Sequence, residues 1–337
     1  MRNLAATISF LAALAIAIPA LANPERWRAS GWATDFSQTE VDLGEIISGG
    51  PGRDGIPAID APVFRKASTL EHMGASEPVI RLEVGSVVRA YPLRVLTWHE
   101  IVNDTLDGQP VAVTYCPLCN SSIVFDRRLE DGSVTTFGVS GLLRNSDMVM
   151  YDRATESWWQ QFTGEAIVGE RAGQALRMLP SRIQGFGEFA RENPDAEVLV
   201  PADPALRRYG ENPYVGYDSR QAPYPLYTGE LPEELPAMMR VVIARHAGEL
   251  AAVTLPHLKA VDSLEINGLR LTWRGGVASA LDARDIAAGA DVGTVTAERL
   301  SDGAAIVHDT TFAFVVLAFH PGLTVHAESG PITLSSR

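Results

Sequence analysis

Cys116-Pro117-Leu118-Cys119 holds the only two cysteines among 337 residues, and it sits between two apolar, β-prone runs, Val111–Tyr115 and Ile123–Phe125. The chain must bring a strand in, turn within a few residues and send a strand out. A loop that short removes little unfolded-state entropy, so the pair has no value as a long-range staple. Two local chemistries suit thiols two residues apart: metal chelation and reversible disulfide formation. In thioredoxin-like proteins the C-x-x-C opens a helix, whose dipole lowers the first thiol's pKa. Here Asn120-Ser121-Ser122 leads into Ile-Val-Phe instead. A strand-turn-strand setting resembles the thiolate knuckle of a metal site, with a redox pair as the other reading.

Met1-Arg2-Asn3 precedes an apolar stretch from Leu4 to Ala20, and Ala20-Leu21-Ala22 has the small-x-small form of a cleavage site. Residues 1–22 therefore read as a secretory signal peptide, and the mature protein is expected in the periplasm or secreted. No later run approaches the ~20 apolar residues that span a bilayer, so no membrane anchor is expected. The net charge of −13 disfavours nucleic acid as a partner. In an oxidising compartment two cysteines are too few for a disulfide scaffold.

Residues 23–60 are rich in Gly, Pro and acid and read as an extended N-terminal segment. Residues 61–208 read as the main β-rich domain. Val79–Val84 and Val87–Tyr91 flank a Gly85-Ser86 turn, Pro92–Val102 has helical spacing, and Asp107-Gly108 turns into the cysteine strand. Five prolines between residues 209 and 236 mark a linker or extended surface segment. Residues 237–337 form a second, smaller unit. There Arg240–Ala244 resembles Pro78–Leu82, and Leu271–Val277 lies in register with Val113–Cys119. Arg274 and Val277 then stand where the cysteines do, as in a degenerate duplicate that keeps the hairpin and lacks the site. The expected fold is β-rich α+β, with many short antiparallel strands, a few short helices and two related β units.

Several stretches carry a family resemblance: Ala90-Tyr-Pro-Leu93, Trp98-His-Glu-Ile-Val-Asn-Asp104, Val113-Thr-Tyr-Cys-Pro-Leu-Cys-Asn-Ser121, Leu143-Arg-Asn-Ser-Asp147, Ser157-Trp-Trp-Gln-Gln161 and Asn212-Pro-Tyr-Val-Gly-Tyr-Asp218. The chain resembles the DUF3179 family, an exported group of unassigned function, strongly over residues 55–235 and more weakly beyond. The resemblance implies that the cysteine turn, the Arg-Asn-Ser-Asp segment and the Trp-Trp-Gln-Gln segment belong together. It supplies no reaction.

Two thiolates rarely hold a metal alone. His99, just before the cysteine strand, is the expected further ligand. His72 beside Met73 comes next, and His308, His320 and His326 cannot be ranked from sequence. Thiolate with imidazole or thioether favours copper or zinc over magnesium or calcium. Arg144, Asn145, Asp147 and Arg153 form a polar cluster suited to tying two strands, binding an anion or positioning a metal-binding histidine. Trp158 and Trp159 face opposite ways in a strand, one into the core and one onto a cleft. With Gln160 and Glu165 they suit a sugar.

Nucleotide-binding, nucleophile-elbow and H-E-x-x-H motifs are missing, so the common hydrolase and dehydrogenase readings have no support. Three functions follow. The first is a periplasmic copper or zinc site at Cys116, Cys119 and His99, for metal handling or redox. The second is a thiol–disulfide oxidoreductase acting on exported proteins through Cys116 and Cys119. The third is a module binding carbohydrate or a small anion, in which the cysteines only brace a turn.

Overall fold

The structure is a computed structural model that describes residues 24–335. The expected leader and its cleavage site lie outside the described residues. Among those described, the chain is β-rich, with short helices and five small sheets.

The first unit opens with the hairpin Pro78–Val84 and Val87–Pro92, then the helix Leu93–His99. That helix stops three residues short of the expected Val102. Glu100 adopts φ 59° and donates its N–H back to Leu96 O, which closes the last turn. Ile101–Leu106 and Gln109–Cys116 follow as a hairpin. Asp107 (φ 48°) and Gly108 (φ 74°) make its two-residue turn, the sign pattern that matches strand twist. Ser121–Asp126 then pairs antiparallel with the cysteine strand, Cys116 opposite Ser121.

The same order recurs in the second half. Arg240–His246 and Glu249–Thr254 form a hairpin, Leu255–Val261 a helix, and Ser263–Ile266 with Leu269–Arg274 the next hairpin. Asp262 ends this helix at φ 57°, and Trp273 N donates to Asp262 O at 2.8 Å as Tyr115 N does to Glu100 O. Register therefore sets Arg274 at the position of Cys116. The likeness continues past residue 285. Ser181–Gly185, a short helix and Glu197–Val200 complete the first five-stranded sheet. His308–Phe312, the helix Ala313–Phe319 and Thr324–Ala327 complete the second in the same way. In each, the first added strand is antiparallel and the second parallel.

Two differences separate the units. The tight cysteine turn is not kept: residues 275–293 separate Arg274 from its next partner strand, Thr294–Arg299. Residues 127–180 also have no counterpart beyond the short connection 300–307. This insertion contributes Phe137–Arg144, Asp147–Asp152 and Trp158–Gln160 to a further sheet.

The units share one hydrophobic cluster. It runs from Cys116, Cys119, Phe125 and Trp159 to Val241, Phe312, Phe314 and Val325. Full burial of each large apolar side chain contributes roughly 1.5–3 kcal/mol. A fold of this size does not need a metal to stand.

The strand Phe137–Arg144 carries a bulge between Val139 and Leu142. Gly141 in the bulge has φ 75°, and a Cβ there would collide with the carbonyl oxygen of Pro51. We expect Gly141→Ala to lower unfolding free energy by about 2 kcal/mol or more in urea titration, since backbone cannot yield as a side chain can.

Candidate metal centre

The cysteine turn is held from outside its own hairpin. Asn120 closes it at φ 50°, its N–H donating to Pro117 O at 3.2 Å. The second unit then grips it: Asn120 Nδ2 donates to Thr310 O at 2.7 Å, Thr311 Oγ1 to Cys119 O at 2.8 Å, and Ser122 N to Asp309 Oδ1 at 3.0 Å. From the proline-rich segment, Tyr217 Oη donates to Leu118 O at 3.0 Å. That segment has no helix or extended strand, as its prolines dictate. It is nevertheless packed, with Tyr217 fully buried.

The Arg-Asn-Ser-Asp segment is a second two-residue hairpin turn. Asn145 (φ 54°) and Ser146 (φ 63°) occupy it, and Arg144 pairs with Asp147 across it. This turn lies against the cysteines, with Ser146 O 3.8 Å from Cys116 Sγ. It delivers Asp147 to them. One ligand atom each from Cys116, Cys119 and Asp147 lie within 4.8 Å of one another, all three residues buried. Tetrahedral zinc with ~2.3 Å Zn–S bonds needs sulfurs about 3.8 Å apart, a small closure from there.

The electrostatics of this cluster are those of a dry site. Asp147 Oδ2 accepts Gln160 Nε2 at 2.6 Å and Phe162 N at 2.9 Å, whereas Oδ1 has no such donor. Burial raises the Asp147 pKa to about 6 despite those bonds. Burial likewise raises both thiols, Cys119 furthest, with the Asp147 charge adding to the effect. Glu100, whose backbone closes the helix, is pushed up to about 8 by burial and by Asp147. A cavity of about 250 Å³ opens beside Cys116, lined by Glu100, Leu118, Met148, Tyr214 and Tyr224 among others.

Two buried thiols and a carboxylate cannot all ionise together without a cation. With one they form a three-ligand set next to a cavity. Catalytic zinc sites have this form, closed structural ones do not. The cluster can therefore hold a metal ion.

His99, the ligand expected from sequence, is committed elsewhere. Its Nδ1 lies 2.8 Å from Pro57 O, its Nε2 2.7 Å from Tyr209 Oη, and its ring stacks on that tyrosine. Asp147 takes the place foreseen for it, as a candidate ligand rather than a histidine's support. His72 and Met73 line a different cavity. His308 bonds two carbonyls, and His320 packs on Phe162, held near pKa 4 by burial and Arg245.

The anion and sugar expectations also need correction. Arg144 pairs with Glu45 at 2.7 Å and Arg153 with Asp60 at 2.7 Å, so both forks already hold carboxylates. Asn145 serves the turn. Trp158 and Trp159 do enter different clusters, but both are fully buried and neither lines a cleft; Trp159 Nε1 donates to Asp152 at 3.0 Å. Glu165 is exposed at the end of the Gln160 turn. Gln160 alone of that group reaches the cluster.

The sequence model described as "Protein of unknown function (DUF3179)" matches residues 53–324. The chain belongs to the DUF3179 family. The match takes in both units, beyond the region where the quoted motifs are densest. No curated protein and no solved structure matches the chain. What this member of the DUF3179 family does must therefore be argued from its own groups.

Sequence reading missed Glu100, Tyr214, Tyr217 and Tyr224. An acid between His99 and the apolar Ile101-Val102, and three tyrosines in a proline-rich stretch, were the available signals.

Asp309, which grips the turn, gives a pH test away from the ligands. Burial raises it to about 6, against hydrogen bonds from Ser121 and Ser122 and the charge of Arg245. A raised carboxyl stabilises the fold fully below its unfolded pKa near 4, and loses that contribution as pH rises through 6. The two-unit difference corresponds to about 3 kcal/mol. Asp309→Asn keeps the acceptor for Ser122 N. In urea titrations the variant should gain on the wild type between pH 4 and 7; parallel curves would show that Asp309 does not titrate in that range.

Proposed function

We propose that this is an exported protein with a buried transition-metal site, used for metal handling or metal-assisted chemistry. Cys116, Cys119 and Asp147 are its ligands, and the fourth position faces the cavity beside Glu100. The observation that carries this reading is the clustering of three buried ligand atoms, in which the two thiols themselves hydrogen-bond the Asp147 carboxylate and a cation would replace those protons.

Zinc suits the set better than copper(I). Two thiolates satisfy either ion, but a hard carboxylate oxygen favours zinc(II), whose charge also offsets more of the ligands' three. Binding must expel the protons that burial keeps on these groups, so affinity should climb steeply with pH.

The oxidoreductase reading has less support. Cys116 and Cys119 are 2 % and 0 % exposed, and the cavity of about 250 Å³ beside Cys116 is too small to admit another protein's disulfide with its backbone. Both thiols are held protonated, whereas an attacking cysteine needs a lowered pKa.

Element analysis of protein purified from the periplasm should find about one zinc per chain. Cys116→Ser, Cys119→Ser and Asp147→Asn should each weaken competition against a chelator by more than about tenfold, with the unfolding transition retained. His99→Ala should keep the metal. Native metal content in all three ligand variants would sink the proposal, as would metal-free protein carrying a Cys116–Cys119 disulfide.

A further inference from the structure

A second cavity, of about 560 Å³, lies against the helix Leu93–His99 at Arg94 and Val95 and is lined by Arg65, Arg94, Arg207 and Arg208 against one acid, Glu211. Its volume is that of a small-molecule site. Four arginines around one cavity are unexpected in a chain of net charge −13, most of whose arginines are matched with acids.

The acids at this cavity do not neutralise it. Glu77 holds Arg94 at 3.4 Å, and Glu211 is shared between Arg208 at 3.6 Å and Arg284 at 3.7 Å. Arg207 has no carboxylate partner among the described residues; its Nη1 donates to the carbonyl of its neighbour Leu206, at 3.3 Å. Arg65, on the strand Val63–Lys66, has no carboxylate partner among the described residues. The same cavity has apolar walls in Val63, which is 43 % exposed, Pro201 and Pro204, backed by the buried Leu70, Val95 and Leu199. Two unmatched guanidinium forks above apolar walls suit an anion that carries its own apolar body. A bare inorganic anion would leave those walls in water, and a neutral apolar molecule would leave the forks unmatched.

We propose that this cavity binds an amphiphilic organic anion, in its simplest form a medium-chain carboxylate, with Arg65 and Arg207 holding the carboxylate and the apolar walls holding the chain. The site is separate from the cysteine cluster and does not rest on the metal reading. The two cavities also differ in lining: the one at Cys116 has no arginine, this one has four.

Calorimetric titration of the purified full-length protein with octanoate, 1-octanol and inorganic phosphate tests the assignment. Octanoate should saturate one site per chain, and both comparators should bind at least about tenfold more weakly, each lacking one half of the match. The double variant Arg65→Gln, Arg207→Gln should lose octanoate affinity by about tenfold or more, with Arg65→Lys, Arg207→Lys retaining most of it. Unchanged unfolding midpoints and metal content in these variants would show that the fold is intact. Octanoate affinity unaltered by the glutamine pair, octanol binding as tightly, phosphate binding as tightly, or no saturable octanoate binding would each overturn the proposal.

Discussion

A carboxylate buried beside two thiols is the constraint that the rest of this molecule serves. Each of these groups loses its hydration on burial, and each additional charge makes the next harder to form. Asp147 is raised to about 6 and Glu100 to about 8 by burial, each with the other groups close by. The cluster is stable in two ways: with its protons, or with a cation in their place. Gln160 Nε2 and Phe162 N cover one oxygen of Asp147 and leave the other toward that exchange.

Bringing the three groups together takes four separate parts of the chain. The first unit supplies the cysteine turn and the insertion at 127–180 supplies Asp147. The second unit and the proline-rich segment then fix the turn through Thr310, Thr311, Asp309 and Tyr217. This explains why the duplicate has no site of its own. It has Arg274 at the Cys116 position, a long connection in place of the turn, and no insertion to carry an acid. Its own strand His308–Phe312 became the brace for the first unit's turn.

Much of this could be read from local sequence. Strand periodicity, the Asp107-Gly108 turn and the strand-C-x-x-C-strand setting follow from neighbours in the chain, so the hairpins appeared where expected. The equivalence of Arg274 with Cys116 followed from the same periodicity. The third member of the cluster did not. His99 was favoured for proximity along the chain, yet Glu100 adopts a left-handed conformation, and the His99 ring turns to Pro57 and Tyr209. Asp147 lies 28 positions beyond Cys119, and only the Asn145-Ser146 turn, docked through Ser146 O, brings it in. The arginines of that stretch looked available because their acids, Glu45 and Asp60, lie far back in an N-terminal segment without a strong pattern.

The shared hydrophobic core sets how such a site would behave. In a small zinc-dependent domain, metal binding and folding are one event, and removing the ion unfolds the chain. Here Phe125, Trp159, Phe312 and Phe314 pack around the cluster irrespective of what it holds. If the cluster holds a metal as proposed, its groups are preorganised, so binding free energy need not order the backbone, and release of the ion need not disorder it. Discrimination between ions then falls to geometry and charge at three fixed atoms, and the open side at Cys116 decides what else can reach the metal. On the proposed reading, an ion can come and go at such a site while the fold stays in place, which suits handling or turnover better than a purely structural role.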